Sequence, residues 1–174
     1  TIQGEIERAL TAIVQTDLRI HGAGRTDSGV HAVGQVAHFS CNWRHETYKL
    51  QKGLNALLPP DISILKLEKT HQDFHARHGS TSKTYVYSIY NTPIRSPFHR
   101  LYACHIPQPL DLDLMIEASA KILGMHDFAS FGAPTDGTSS TVRQIFSAQW
   151  VPDCNSKLLK FHIIGSGFLR YMVR

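Results

Sequence analysis

The stretch His21-Gly22-Ala23-Gly24-Arg25-Thr26-Asp27-Ser28-Gly29-Val30-His31-Ala32 most constrains how this chain folds. Before it, Ile2, Ile6, Ala9, Leu10 and Ile13 fall on one face of a helix over 2–15, with Thr1 placed to cap it. After it, 33–40 read as a strand. The connection is therefore a polar, glycine-punctuated loop joining a helix to a strand. Glycine admits positive φ and lets another group approach the main chain closely. Inside the loop, Arg25 and Asp27 stand two positions apart. A guanidinium beside a carboxylate favours its charged form and lowers an Asp pKa by roughly 1–3 units, which suits a nucleophile. Asp-Ser-Gly is also ordinary turn chemistry.

Further along, Thr47 is placed to cap a second helix carrying Leu50, Leu54, Leu57 and Leu58, and Pro59-Pro60 ends it. Ile62 to Leu67 form a strand candidate. Residues 82–90 alternate, with Tyr85, Tyr87 and Ile89 on one face. Asp111 caps a helix running through Leu112, Met115, Ile116, Ala120 and Leu123, with Gly124 as its stop. Strands at about 143–151 and 157–164 follow, joined by a turn at 152–156. The pattern predicts an α+β fold, with helices on one side of an antiparallel-leaning sheet. No linker or exact repeat divides it.

The 174 residues, 42% of them hydrophobic, suffice for a real core. Lys and Arg outnumber Asp and Glu by 18 to 14, an excess that suits a nucleic-acid partner where it clusters. Three widely spaced cysteines, Cys41, Cys104 and Cys154, with no CxxC, argue against a disulfide framework or zinc ribbon and for a reducing compartment. No apolar run approaches the roughly 18 residues that span a bilayer, and no signal peptide opens the chain.

Gly24-Arg25-Thr26-Asp27-Ser28-Gly29-Val30-His31-Ala32 closely resembles the GRTDAGVHA signature of TruA-type tRNA pseudouridine synthases. Thr1 to Glu7 is similar to that family's TVQGEIE helix start, and Phe74-His75-Ala76-Arg77 to its FHAR motif. Lys83 to Tyr87 resembles its R-x-Y-x-Y strand, and Gly124 to Phe131 its G-x-HDF-x-x-F turn. Gly167 to Arg174 resembles its GFLRxMVR motif. These marks occur in the family's order along the whole chain. Ser28 replaces the family's alanine, a small-for-small change. The loop at 134–139 carries no positive charge, whereas the family often has basic or polar tRNA contacts there. The family's strand before the first helix and its continuation past MVR are not in this sequence, so the chain reads as a trimmed enzyme.

The resemblance implies two similar α/β halves sharing a central mixed, largely antiparallel sheet flanked by helices. These are read here as 1–70, with the Asp loop, and 71–174, with the stacking tyrosine and terminal arginine motif. It implies isomerisation of uridine to pseudouridine at positions 38, 39 and 40 of the tRNA anticodon stem-loop, without a cofactor, by a cytoplasmic homodimer. Asp27 is the implied nucleophile, with attack on the ring or on the sugar carbon left open. Arg25 steadies the loop and target phosphate, or fills the stack left by a flipped nucleotide. Tyr85 stacks on the substrate, whereas Tyr87 is assigned to packing. Leu169 lines the pocket and Arg174 pairs with Asp27. Phe74, His75, Ala76, Arg77 and His78 form the tRNA-contact segment, with Arg77 as phosphate ligand.

His71, His75 and His78 sit at metal-like spacings, but no Cys or acidic ligand joins them in a zinc pattern, so no metal is expected. His21, His31, His38 and His126 are read as structural or RNA-facing. Three alternatives remain open at this point: a synthase of the same superfamily acting on another RNA site, a non-catalytic RNA-binding form, and a histidine-dependent metallonuclease.

Overall fold

Helices and a mixed sheet give the chain the expected α+β class, consistent with the pseudouridine synthase fold. The computed structural model describes residues 1–134, 140–153 and 155–174. Most of the 134–139 loop and Cys154 of the 152–156 turn thus lie outside the described residues. The chain forms two units, Thr1–Thr26 with Ala32–Ser80, and Asp27–His31 with Thr81–Arg174. Among the described residues, no helix is long and apolar enough to cross a membrane.

In the first unit, α1 (Ile2–Val14) is capped by the Thr1 hydroxyl, which accepts from the Gly4 N–H. Its apolar stripe packs on α2 (Thr47–Leu57), burying Ala9, Leu10, Leu50, Leu54 and Leu58 together with Ile20. Each buried Leu or Ile side chain contributes about 1.5–3 kcal/mol by leaving water. The α2 cap differs from expectation. Glu46, not Thr47, occupies the N-cap position, and no side chain caps the helix. Leu58 is extended ahead of Pro59, which ends the helix as predicted.

The predicted strand at 33–40 shrinks to β2 (Ala37–His38), paired antiparallel with β1 (His21–Gly22). Val33 is 96% exposed, so the run before Ala37 has no packed face to hold it in a sheet. The predicted strand at 62–67 does not form. Asn55 and Gln51 of α2 stand in for a partner strand. The Asn55 amide accepts from Ile64 N–H (2.7 Å) and donates to Ile64 C=O (3.0 Å), while Gln51 donates to the carbonyls of Ile64 and Leu65. Ile62, Ile64 and Leu67 pack against the core below. The alternation is real, but side-chain amides meet its backbone.

The second unit is built on a five-stranded sheet of β3 (Lys83–Asn91), β4 (Cys104–Ile106), β5 (Gly124–Asp127), β6 (Val142–Asp153) and β7 (Leu158–Gly165). Its order is β4-β3-β7-β6-β5, parallel only between β3 and β4. Helix α3 (Leu112–Ala120) starts at Asp111, whose carboxylate accepts from Leu114 N–H. It ends three residues earlier than the pattern suggested. Its inward face is Leu112, Met115 and Ser119 rather than Ile116 and Ala120, which are exposed. The polar member of that face has a partner: Trp150 Nε1 donates to Ser119 Oγ (2.8 Å), and Ser119 donates to Met115 C=O.

The core of this unit joins Phe128, Ile145, Ile163, Leu169 and Met172. A 3-10 turn at Ala129–Phe131 follows β5, and Asp127 steadies it by accepting from Ala129 N–H and the Thr141 hydroxyl. Next, Ala133 bridges Arg170, and Gly132 lies against that segment so closely that a Cβ would meet the Arg170 carbonyl at 2.3 Å.

Candidate active site

The glycine loop places Asp27 by a tight turn. Val30 N–H donates to Asp27 C=O (3.1 Å), so Asp27 to Val30 close a four-residue turn. Gly29 has φ +83°, at the position where a type II turn requires positive φ. Nothing crowds its missing Cβ, so conformation alone calls for glycine there. Ser28 is exposed, and Asp27 half-buried.

Asp27, Tyr85, Leu169 and Arg174 all belong to the second unit. Tyr85 lies on β3, half-buried against the core that contains Leu169. Its ring meets Phe168 edge to face, with centroids 5.0 Å apart. Burial pushes the Tyr85 phenol above its ordinary pKa, and the Asp27 carboxylate pushes it further the same way. The phenol therefore stays protonated through neutral pH, a hydrogen-bond donor near a carboxylate.

Leu169 is 4% exposed and fixed among Phe128, Ile145, Ile163 and Met172. For Arg174, one contact is aromatic. Its guanidinium lies over the Tyr171 ring, 4.6 Å from the centroid. Tyr87, on the same face of β3 as Tyr85, is also raised, by burial first and then by Cys104.

The first unit carries Arg25, exposed, and the 74–78 segment. Those five residues do not present one surface. Ala76 is 4% exposed, Phe74 and His75 are half-buried, and only Arg77 and His78 face solvent. The segment is tied down by imidazoles. His38 Nδ1 accepts from Ala76 N–H, and His75 Nδ1 accepts from the N–H groups of both Arg77 and His78, each at 3.2 Å. His21, His38, His75 and His78 line up in a row, the first pair stacked and the next two tilted, with neighbouring ring centroids 5.2, 4.6 and 4.2 Å apart. Partial burial and then the imidazoles of His78, His38 and His21 lower the pKa of His75. Among the described residues, no group of three or more His, Cys, Asp or Glu is arranged to hold a metal ion.

One pair of positioning residues escaped the sequence reading. Glu7 Oε1 accepts from Ile20 N–H (3.0 Å) and from Gln3 Nε2 (2.8 Å), and Gln3 Nε2 also donates to Ile20 C=O. These hydrogen bonds, Gln3 first and Ile20 second, hold the Glu7 carboxyl below its usual pKa. Gln3 and Glu7, one helical turn apart, grip both backbone groups of the residue that leads into the glycine loop. The i, i+4 spacing of two polar residues on a helix start was the available signal.

The family model described as tRNA pseudouridine synthase matches residues 1–78 and 118–174. A tRNA pseudouridine synthase A 2 of Bacillus cereus is 38% identical over 174 residues, covering 100% of this chain and 70% of that protein. A tRNA pseudouridine synthase A of Streptococcus agalactiae serotype Ia is 42% identical, covering 100% of this chain and 68% of that protein. For a protein of the same name from Maridesulfovibrio salexigens the identity is 40%, covering 100% and 64%.

Proposed function

Because this chain belongs to the tRNA pseudouridine synthase family, an isomerase family, we propose that it isomerises uridines of the tRNA anticodon stem-loop with Asp27 as nucleophile. The observation that carries this reading is the Asp27–Val30 turn, which sets Asp27 in the same unit as Tyr85 and Leu169, its carboxylate helping burial to raise the phenol's pKa. A carboxylate nucleophile beside a neutral aromatic donor suits a reaction that detaches and re-attaches a planar base.

The reaction breaks the C–N glycosidic bond of uridine, turns the uracil, and closes a C–C bond to the same sugar carbon. The hydrogen on the newly bonded ring carbon leaves as a proton, and the freed ring nitrogen takes one up. The target base must first leave its stack, at a cost of a few kcal/mol. Arg25, with its planar guanidinium, steadies the target phosphate or fills the vacated place. Asp27 provides the nucleophilic oxygen. Tyr85 offers its ring face to the uracil, worth about 1–3 kcal/mol, and its hydroxyl as a donor. Leu169 forms the apolar floor, and Arg174 adds positive charge on the substrate side. In the 74–78 segment, Arg77 contacts phosphate beside His78, while Phe74, His75 and Ala76 hold the backbone in place. The resemblance further suggests a cytoplasmic homodimer.

The test is tritium release from tRNA carrying uridine labelled at C5, by full-length wild-type and Asp27→Asn protein. Release falls to background in the variant while tRNA affinity stays near wild type. A variant that still turned over would overturn the nucleophile assignment.

A further inference from the structure

A basic cavity of about 480 Å³ lies in the second unit, lined by Tyr90, Arg95, Ser96, His99, Arg100 and His105 among others. We propose that it is a subsite for a backbone phosphodiester of the RNA substrate. The inference rests on the tRNA reading above and extends it to a part of the chain between the two segments matched by the family model.

The lining decides the ligand class. Arg95, Arg100, His99, His105, Tyr90 and Ser96 line the space together with the apolar Pro97 and Ala103, and no acidic residue lines it. The sequence has no acidic residue between Asp73 and Asp111, so the surrounding chain adds no opposing charge. Among the described residues, no ion pair engages Arg95 or Arg100. The edge of a nucleobase presents both donors and acceptors, whereas a phosphodiester presents acceptors only. The Arg95 and Arg100 guanidinium groups offer donors only, which matches the phosphodiester. Arginine's planar fork adds bidentate geometry to the charge match. The volume lies within the range of small-ligand clefts, leaving room for the flanking sugars.

The wall is also held in shape before any ligand arrives. The parallel register of β3 and β4 sets Tyr90 beside His105. Asn91 locks that edge by donating to the carbonyls of Ile106 (2.8 Å) and Gln108 (2.7 Å). His99 packs edge-on to Tyr90 with centroids 4.8 Å apart, and its carbonyl accepts from Tyr102 and Ala103 N–H. His105 Nε2 donates to the Thr92 carbonyl (2.8 Å), which fixes that ring. Arg95 and Arg100 thus project from a framed segment.

The experiment measures binding of an unmodified tRNA transcript to the full chain across a salt series, for wild type, Arg95→Gln/Arg100→Gln and Arg95→Lys/Arg100→Lys. Losing the two guanidinium groups that hold this one phosphodiester weakens binding roughly tenfold near 0.1 M salt and flattens the log–log salt slope by about 1. The lysine pair, which keeps the charge, restores most of the slope. An unchanged affinity and slope in the glutamine pair, with wild type binding and modifying tRNA, overturns the subsite alone. A wild type that fails to bind tRNA overturns the functional reading and this one with it. Inorganic phosphate is titrated separately. Tight binding of the free ion, lost in the glutamine pair, would mark a free-anion site and overturn the backbone assignment.

Discussion

The ring of Phe168 meets the ring of Tyr85 edge to face, 5.0 Å between centroids. In the proposed mechanism Tyr85 uses its ring for packing and stacking and its hydroxyl as a donor, so a substitution can separate the two. Tyr85→Phe keeps the contact, so the variant is expected to fold and bind tRNA while tritium release drops sharply. Tyr85→Ala loses the contact as well and should destabilise the protein by about 2 kcal/mol, less than the roughly 3–5 of a fully buried ring. Urea unfolding of both variants checks the split. Full turnover by the phenylalanine variant would remove the hydroxyl from the mechanism.

His75 gives the protein an acid-sensitive point. Its Nδ1 accepts two backbone N–H bonds, so protonating that atom breaks both. The folded-state pKa lies below the ordinary 6.5. The stabilisation is therefore fully present above about pH 6.5 and lost as pH falls through the depressed value. The melting temperature of wild type should fall more steeply between about pH 7.5 and 5.5 than that of His75→Asn, whose amide oxygen accepts but does not take up a proton. Parallel pH profiles would count against His75 as the source.

Ser119 couples α3 to β6 through one hydrogen bond from Trp150. Ser119→Ala leaves the indole N–H without its acceptor and should cost about 1–3 kcal/mol. In a double-mutant cycle with Trp150→Phe, the two losses should be strongly non-additive. Additive losses measured by urea unfolding would show that the bond contributes little.

Much of the frame was legible because it is local. Thr1 and Asp111 cap their helices as their residue types predict, and Leu50, Leu54 and Leu58 of the leucine run find the core while Leu57 stays exposed. What escaped depends on partners distant in sequence. Ile62 to Leu67 alternates like a strand, yet its backbone is satisfied by Gln51 and Asn55 rather than by a neighbouring strand. The inward face of α3 turns toward Ser119 because Trp150 needs an acceptor, a demand arising 31 residues away. At the candidate site, the glycine spacing correctly announced a turn at Asp27. The histidine row could not be read, since it draws on His21, His38 and the 75–78 segment at once.

Gly132 has a wider meaning than its size suggests. With the Arg170 carbonyl where its side chain would start, it sets the spacing between two stretches of backbone, one of which carries Leu169. Even one methyl group there would have to push 169–170 aside. The position works as a gauge: it contacts no substrate in the proposed mechanism, yet it fixes the depth of the floor on which the uracil would rest. Drift in activity without loss of any reacting group is the phenotype such a residue would produce.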